Sequence, residues 1–310
     1  MEQKKKDNDF RFKNKKDILP YIKNNFFYKK KSLYASTPFH YHLIPCQLRK
    51  LISSLKTRID VPDIEYKLKK FNLYSPFNEI LKTNENTDNF PESAVNKIII
   101  TFDIDSMQGY KQIDKFLKYT IGGKKFSTIV FIPAAAFKYS EIHLTDLKKS
   151  GAELGCHGFD HSGKLAFDDE KTFSYKIIKI KEFSEKFNIT KFRAPAFVLT
   201  EKLYEFIKSY FSEDYSLFDT VPEKNKINGS LYSGILTDEK LKLVVLNTYP
   251  DCLLYITKLN DEEIFNLWSE KIQYLTKKNI VPVFLFHPEP HFSGNKKRFE
   301  TFKKFIDFFS

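Results

Sequence analysis

From residue 97 onward the chain alternates short apolar, β-branched runs with longer stretches whose apolar residues recur every three or four positions. The runs "KIIITFDID" (97–105), "STIVFIPA" (127–134), "AELGC" (152–156), "KFRAP" (191–195) and "IVPVFLFH" (280–287) predict buried strands. Helices are predicted for "YKQIDKFLKYT", "EIHLTDLKKSG", "DEKTFSYKIIKIKEFSEKF", a stretch near 200–211, "DEEIFNLWSEKIQYLTKKN" and the C-terminus. Shorter strands are predicted at 214–218, 231–235, 242–247 and 252–257. Strands alternating with helices require a parallel sheet under helical cover. The number of units favours an α/β fold of the (β/α) barrel kind, closed or nearly so.

The first 95 residues have another texture. After a basic arm, "STPFHYHLIPCQLRKLISSLK" (36–56) shows helical spacing beyond Pro45, and "ILKTNENTDNFPESAVNK" (80–97) reads as a connecting loop. The expected organisation is a basic N-terminal extension over 1–95, serving as a lid or a membrane or substrate contact, and a catalytic domain over 96–310.

Composition narrows the class. Hydrophobic residues make up 42% and charged residues 29% of the 310, which describes a folded globular chain. The net charge of +12 is concentrated early, with 11 Lys/Arg against 4 Asp/Glu in residues 1–35. Such an arm suits an anionic membrane face or an acidic substrate, or is simply a solvated terminus; nucleic acid is not the expected partner. Cys46, Cys156 and Cys252 form no CxxC and suggest reduced thiols. No export signal and no membrane span is read, so a cytoplasmic location is expected, with peripheral contact at the inner membrane face. Nothing in the pattern fixes an oligomeric state.

Polar residues stand where the predicted strands end: Asp103 and Asp105, His157 and His161, Arg193, and His287. In barrels of this kind chemistry gathers at the C-terminal ends of strands. Asp103 and Asp105 are two apart and emerge on one side of a strand, where two carboxylates repel unless a cation relieves them. Taken alone the pair also fits two strand-end caps, and Cys156 is expected in the core. His157 and His161 are two of only seven histidines and lie four apart, able to converge on one ion. The expected division of labour gives the metal to Asp105, His157 and His161, and the proton of an activated water to Asp103. Arg193 orients Asp103 through a two-pronged contact, and His287 protonates the leaving group. Imidazole suits zinc and its neighbours, and zinc brings the pKa of bound water from about 15.7 to roughly 7.

The motifs "TFDID", "HGFDH", "FRAPAF" and "FLFH", in that order over roughly 97–290, resemble those of the polysaccharide deacetylases, the carbohydrate esterase family 4 or NodB-homology group. The resemblance implies a distorted (β/α) barrel and a metal-dependent hydrolase that removes N- or O-acyl groups from sugars. By position it makes Asp103 the base, Asp105, His157 and His161 the metal ligands, Arg193 the orienting arginine and His287 the acid. It places Ala196 where a backbone amide binds the oxyanion. The spaced aspartates, with Ile104 between them and Ser106 following, are similar to the intracellular and allantoinase-like branch. The aspartate that tunes the acid histidine is expected at Asp214, with Asp219 as the other candidate. Glu289 and His291 stand beside His287 in "HPEPHF", and His291 is read as a loop residue. His40 and His42 are read as a packed or lid segment.

The substrate expected is a sugar or lipid-linked glycan on the way to a surface polysaccharide. A deformylase or amidase acting on a small N-acyl compound keeps the same chemistry. Two His and one carboxylate also match the open triad of non-haem Fe(II) oxygenases, and a non-catalytic glycan- or nucleic-acid-binding relative is the remaining reading.

Overall fold

A computed structural model of the chain describes residues 19–31 and 97–310, apart from 21, 25, 26, 124, 219–233, 257, 258 and 278. The expectations for His40, His42, Cys46, Asp219 and the basic run at 1–18 lie outside the described residues.

Eight strands form one sheet: β1 (Ile98–Asp103), β2 (Phe126–Ile132), β3 (Glu153–Cys156), β4 (Lys191–Phe192), β5 (Glu213–Phe218), β6 (Ile235–Asp238), β7 (Leu241–Leu246) and β8 (Val283–Phe286). Their order is β6-β7-β5-β4-β3-β2-β1-β8. All neighbours are parallel except β6, an antiparallel edge strand on β7. The helices are α1 (Met107–Tyr110), α2 (Ile113–Thr120), α3 (Glu141–Lys149), α4 (Glu170–Phe187), α5 (Glu201–Tyr210), α6 (Asp251–Ile256), α7 (Asp261–Lys277) and α8 (Lys296–Phe309). The sheet curls into a half-barrel, a distorted form of the expected (β/α) barrel. The stretch predicted as a strand at 252–257 is instead helix α6. A short apolar run such as "CLLYI" has no period that separates a buried strand from one buried helical turn.

Strand alternation sorts the side chains into two cores. Ile98, Ile100 and Phe102 of β1, Val130 and Ile132 of β2, and Phe284 and Phe286 of β8 face the helices. Ile129, Phe131, Tyr215, Val244, Leu246, Val283 and Leu285 fill the barrel interior. Cys156 is fully buried in the outer core, as expected. The helices owe their ends to local chemistry. In α4, Asp169 caps the first turn through Thr172 N, Phe173, Ile177, Ile180 and Phe187 line the buried face, and Asn188 closes the last turn in the left-handed region.

No ladder joins β7 to β8 among the described residues. The side chain of Asn247 bridges them, its Nδ2 donating to Val281 O at 2.9 Å and its Oδ1 accepting from Val283 N at 2.8 Å. Thr248 Oγ1 donates to Val283 O at 2.7 Å. Asn247 is buried, so Asn247→Ala strands one donor and one acceptor without water. A loss of about 3 kcal/mol is expected in urea unfolding, at unchanged m-value. A loss below about 0.5 kcal/mol would show that the seam closes without it.

Residues 19–31 pack on α5 and its neighbours. Ile22 is buried, the Phe27 ring lies 5.1 Å from that of Tyr204, and Tyr28 N donates to Leu199 O at 2.8 Å. Lys23 sits among Glu201, Glu205 and Asp238 at 3.6–3.7 Å. Among the described residues no helix is long and apolar enough to cross a membrane.

Candidate active site

Asp103 ends β1 on the inward side that Ile99 and Thr101 share, and Asp105 follows two residues on. His157 follows β3 with the inward parity of Gly155. Phe131 explains that glycine: a Cβ on Gly155 would lie 2.4 Å from its ring. The same ring supports Arg193, whose guanidinium carbon sits 4.4 Å from the ring centre. The floor of the site is thus shaped by a residue that has no side chain.

The "HGFDH" segment is a turn. Gly158 and His161 both have positive φ, 68° and 54°, and a Cβ on Gly158 would press on Pro195 at 2.8 Å. This conformation folds His161 back beside His157, with ring centres 4.9 Å apart. His157 Nδ1 lies 3.0 Å from Arg193 O, an acceptor only, so that nitrogen carries the proton and Nε2 keeps its lone pair. Nε2 then faces Asp103 Oδ2 at 3.5 Å and Asp105 Oδ1 at 3.6 Å. His161 Nε2 lies 2.9 Å from Asp105 Oδ1, and His287 Nε2 lies 3.9 Å from Asp105 Oδ2.

Asp105, His157 and His161 each offer a ligand atom, all within 4.8 Å of one another. Asp105 Oδ1 and His157 Nε2 are buried and make no hydrogen bond among the described residues. Orphaned buried lone pairs of one oxygen and one imidazole nitrogen are what a divalent cation satisfies, so the donor set fits one. Burial pushes the Asp105 carboxyl up, but the charge of His161, the close approach of the His157 and His161 rings and the charge of His287 hold it well below the usual carboxylate range. Asp251, Cys252 and His287 also lie close together. Burial pushes the Cys252 thiol up to about 12, however, and the Asp251 oxygens are occupied by hydrogen bonds, which makes that group a poor cage.

Arg193 is fully buried and reaches Asp103 with one prong, Nη1 to Oδ1 at 2.7 Å. The expected fork does not form. Nη1 is shared with Thr101 Oγ1 at 2.9 Å and Nε donates to Tyr215 O at 3.1 Å, so the guanidinium ties three strands together. Ala196 lies in the 3-10 turn Pro195–Phe197, where it and Phe197 both have positive φ, 51° and 56°. Two successive non-glycine residues in that region are strained, a cost that clusters at functional sites.

Asp214 does not meet His287. It sits at the irregularity in β5, where its Oδ1 accepts from Ser216 N at 3.0 Å and from Ser216 Oγ, while Ser216 Oγ accepts from Ala194 N at 2.8 Å. Burial raises its carboxyl to about 7. The partner of His287 is Asp251, a residue the sequence reading missed. Asp251 Oδ1 is 2.6 Å from His287 Nδ1, and Oδ2 accepts from His287 N at 2.8 Å and Ser293 Oγ at 2.6 Å. Burial alone would lower the histidine, but the charges of Asp251, Cys252 and Asp105, with the hydrogen bond to Asp251, together outweigh it and hold His287 well above its ordinary value. The signal was present: Asp251 follows β7 at the end of the sheet that carries the other polar residues. Glu289 is buried as well, and burial raises it to about 8.

Neither a protein-family model nor a curated protein sequence matches the chain. Solved structures do. A candidate polysaccharide deacetylase from Mycobacterium smegmatis aligns at TM-score 0.52 and 16% identity, over 71% of this chain and 85% of its own. The PuuE allantoinase aligns at 0.52 and 11%, over 74% and 89%. A further candidate polysaccharide deacetylase, from Pseudomonas aeruginosa PAO1, aligns at 0.51 and 12%, over 71% and 86%. Sheet order, curl and these alignments agree: the chain has the fold of the polysaccharide deacetylases, the carbohydrate esterase family 4 or NodB-homology group.

Proposed function

We propose that the protein is a metal-dependent hydrolase that removes an acetyl or other acyl group from an amino sugar. The observation that carries this reading is the convergence of Asp103, Asp105, His157, His161 and His287 at one buried spot, with Arg193 braced on one aspartate and Asp251 on the last histidine. Asp105, His157 and His161 would hold the cation, for which zinc suits the imidazoles. When bound, it polarises the acyl carbonyl and acidifies water. Asp103, oriented by Arg193, accepts the proton that the attacking water gives up. His287, protonated through its contact with Asp251, donates a proton to the departing nitrogen. The exposed turn at Ala196 supplies a backbone N–H for the oxyanion.

The substrate class we favour is a sugar or lipid-linked glycan precursor of a surface polysaccharide, met in the cytoplasm or at the inner membrane face. The +12 charge suits a phosphate-bearing carrier. An allantoinase shares the fold, so hydrolysis of a small amide is the second reading. Release of acetate from acetylated sugars, against formate or no acid, separates the two.

The ligand assignment is tested by metal analysis of wild type beside His157→Ala. One zinc per chain is expected in the first and a small fraction of that in the second. Equal content in both would refute the assignment.

A further inference from the structure

The mechanism above leaves one buried acid without a task. Glu289 is 1% exposed and lies two residues beyond His287, on the loop that follows β8. Its side chain crosses to the loop that follows β1, 183 and 184 residues away in sequence. There Oε1 accepts from Asp105 N at 2.9 Å, from Ser106 N at 3.1 Å and from Ser106 Oγ at 3.3 Å. At its own end, Glu289 O accepts from Phe292 N at 2.9 Å and Gly294 N at 3.1 Å, which anchors the acid's backbone. The receiving loop is shaped to admit it. Gly109 faces the carboxylate so closely that a Cβ there would lie 2.0 Å from Oε1.

We infer that Glu289 is a positioning residue, which fixes Asp105 and His287 as one rigid unit by gripping the backbone of the first from the loop of the second. Asp105 lies two residues past the end of β1, so the ladder does not hold its backbone; Ile104 N is bonded to Phe131 O, and beyond that Glu289 takes over. Without this grip the Asp105 side chain has several ways to point, and only one of them meets His157 and His161. The inference rests on the metal-site reading. Outer partners that orient a ligand commonly carry a 10–100-fold effect on metal affinity.

The test titrates purified full-length chain with zinc against a chromogenic chelator, for wild type, Glu289→Gln and Glu289→Ala, and records the melting of each metal-free protein. Glutamine keeps an oxygen at the Oε1 position, so affinity within about threefold of wild type is expected. Alanine removes the acceptor, and a loss on the order of 10–100-fold is expected. Should the alanine variant fail to fold, Glu289→Asp, which withdraws the carboxylate by one methylene, is expected to lose affinity in the same direction. Wild-type affinity in a folded Ala or Asp variant, or a loss in Gln as large as in Ala, overturns the positioning role alone. A wild type that binds no zinc overturns it together with the metal reading.

Discussion

Asp103→Asn is expected to keep its metal and lose roughly 10³-fold in kcat, with KM little changed. The argument starts from shape. Asparagine fills the same volume, and its Oδ1 can still accept from Arg193 Nη1, now 2.7 Å from the aspartate. What it cannot do is take up a proton. If Asp103 is the base, the loss falls on kcat. If it is a fourth ligand, as its 3.5 Å approach to His157 Nε2 would also permit, zinc content falls instead. Arg193 is fully buried, and halving its compensation costs stability on the order of 3 kcal/mol, so melting must be measured alongside. An Asn variant that is folded, metal-loaded and above about a tenth of wild-type kcat would remove Asp103 from the chemistry.

The same experiment weighs the other classes. A non-haem oxygenase would turn over only with oxygen and has no need of the separate proton-handling groups found here. A binding protein on the same scaffold would hold metal and ligand in wild type and Asp103→Asn alike. The braces on Asp103 and His287 favour a hydrolase, because binding alone does not require a base and an acid to be separately held.

How much of this was legible in the chain depends on which residues carry the signal. Parallel strands are buried on both faces, so "KIIITF" and "VFLF" announce themselves as apolar runs, and a charged residue at their ends marks the site. That pattern singles out His157, His161 and His287, which the structure brings together around Asp105. The same pattern marks Arg193 but not its geometry: β4 is two residues long, and nothing local says that the guanidinium spans to Thr101 and Tyr215. Asp251 is hidden because "CLLYI" has the composition of a strand, which places Asp251 before a strand's start and not after a strand's C-terminal end, where the site residues gather. Asp214 in "EDYSLF" carries the expected residue type, but its carboxylate caps the irregular backbone of β5. Composition groups residues 19–31 with a basic arm, although Ile22 and Phe27 bury themselves against the domain. Charge averages over a window hide one or two anchoring residues.

Asp251→Asn is expected to lower kcat at pH 7 by roughly 10²–10³-fold and to move the alkaline limb of the kcat profile toward acid. The sign follows from the histidine. A general acid works only while protonated, and the Asp251 charge is the largest of those that together hold His287 well above its ordinary value. With the Asp251 charge gone, burial is opposed less and the neutral ring is favoured more, so protonated His287 is lost at lower pH. The same pair contributes folding stability that is complete below the unfolded value near 6.5 and disappears as pH rises through the raised folded value; the variant lacks that contribution. Geometry makes the amide a poor replacement. Asp251 receives donors at both oxygens: His287 Nδ1 and Cys252 N at Oδ1, and His287 N and Ser293 Oγ at Oδ2. An asparagine flipped either way sets an NH2 against at least one backbone donor. One of the two orientations faces His287 Nδ1 with a donor, which selects the wrong tautomer. A residue that merely props up the loop would lower the melting temperature and leave the alkaline limb where it was. Stopped assays from pH 6 to 10 on metal-loaded enzyme distinguish the two, and an unmoved limb would detach Asp251 from the acid.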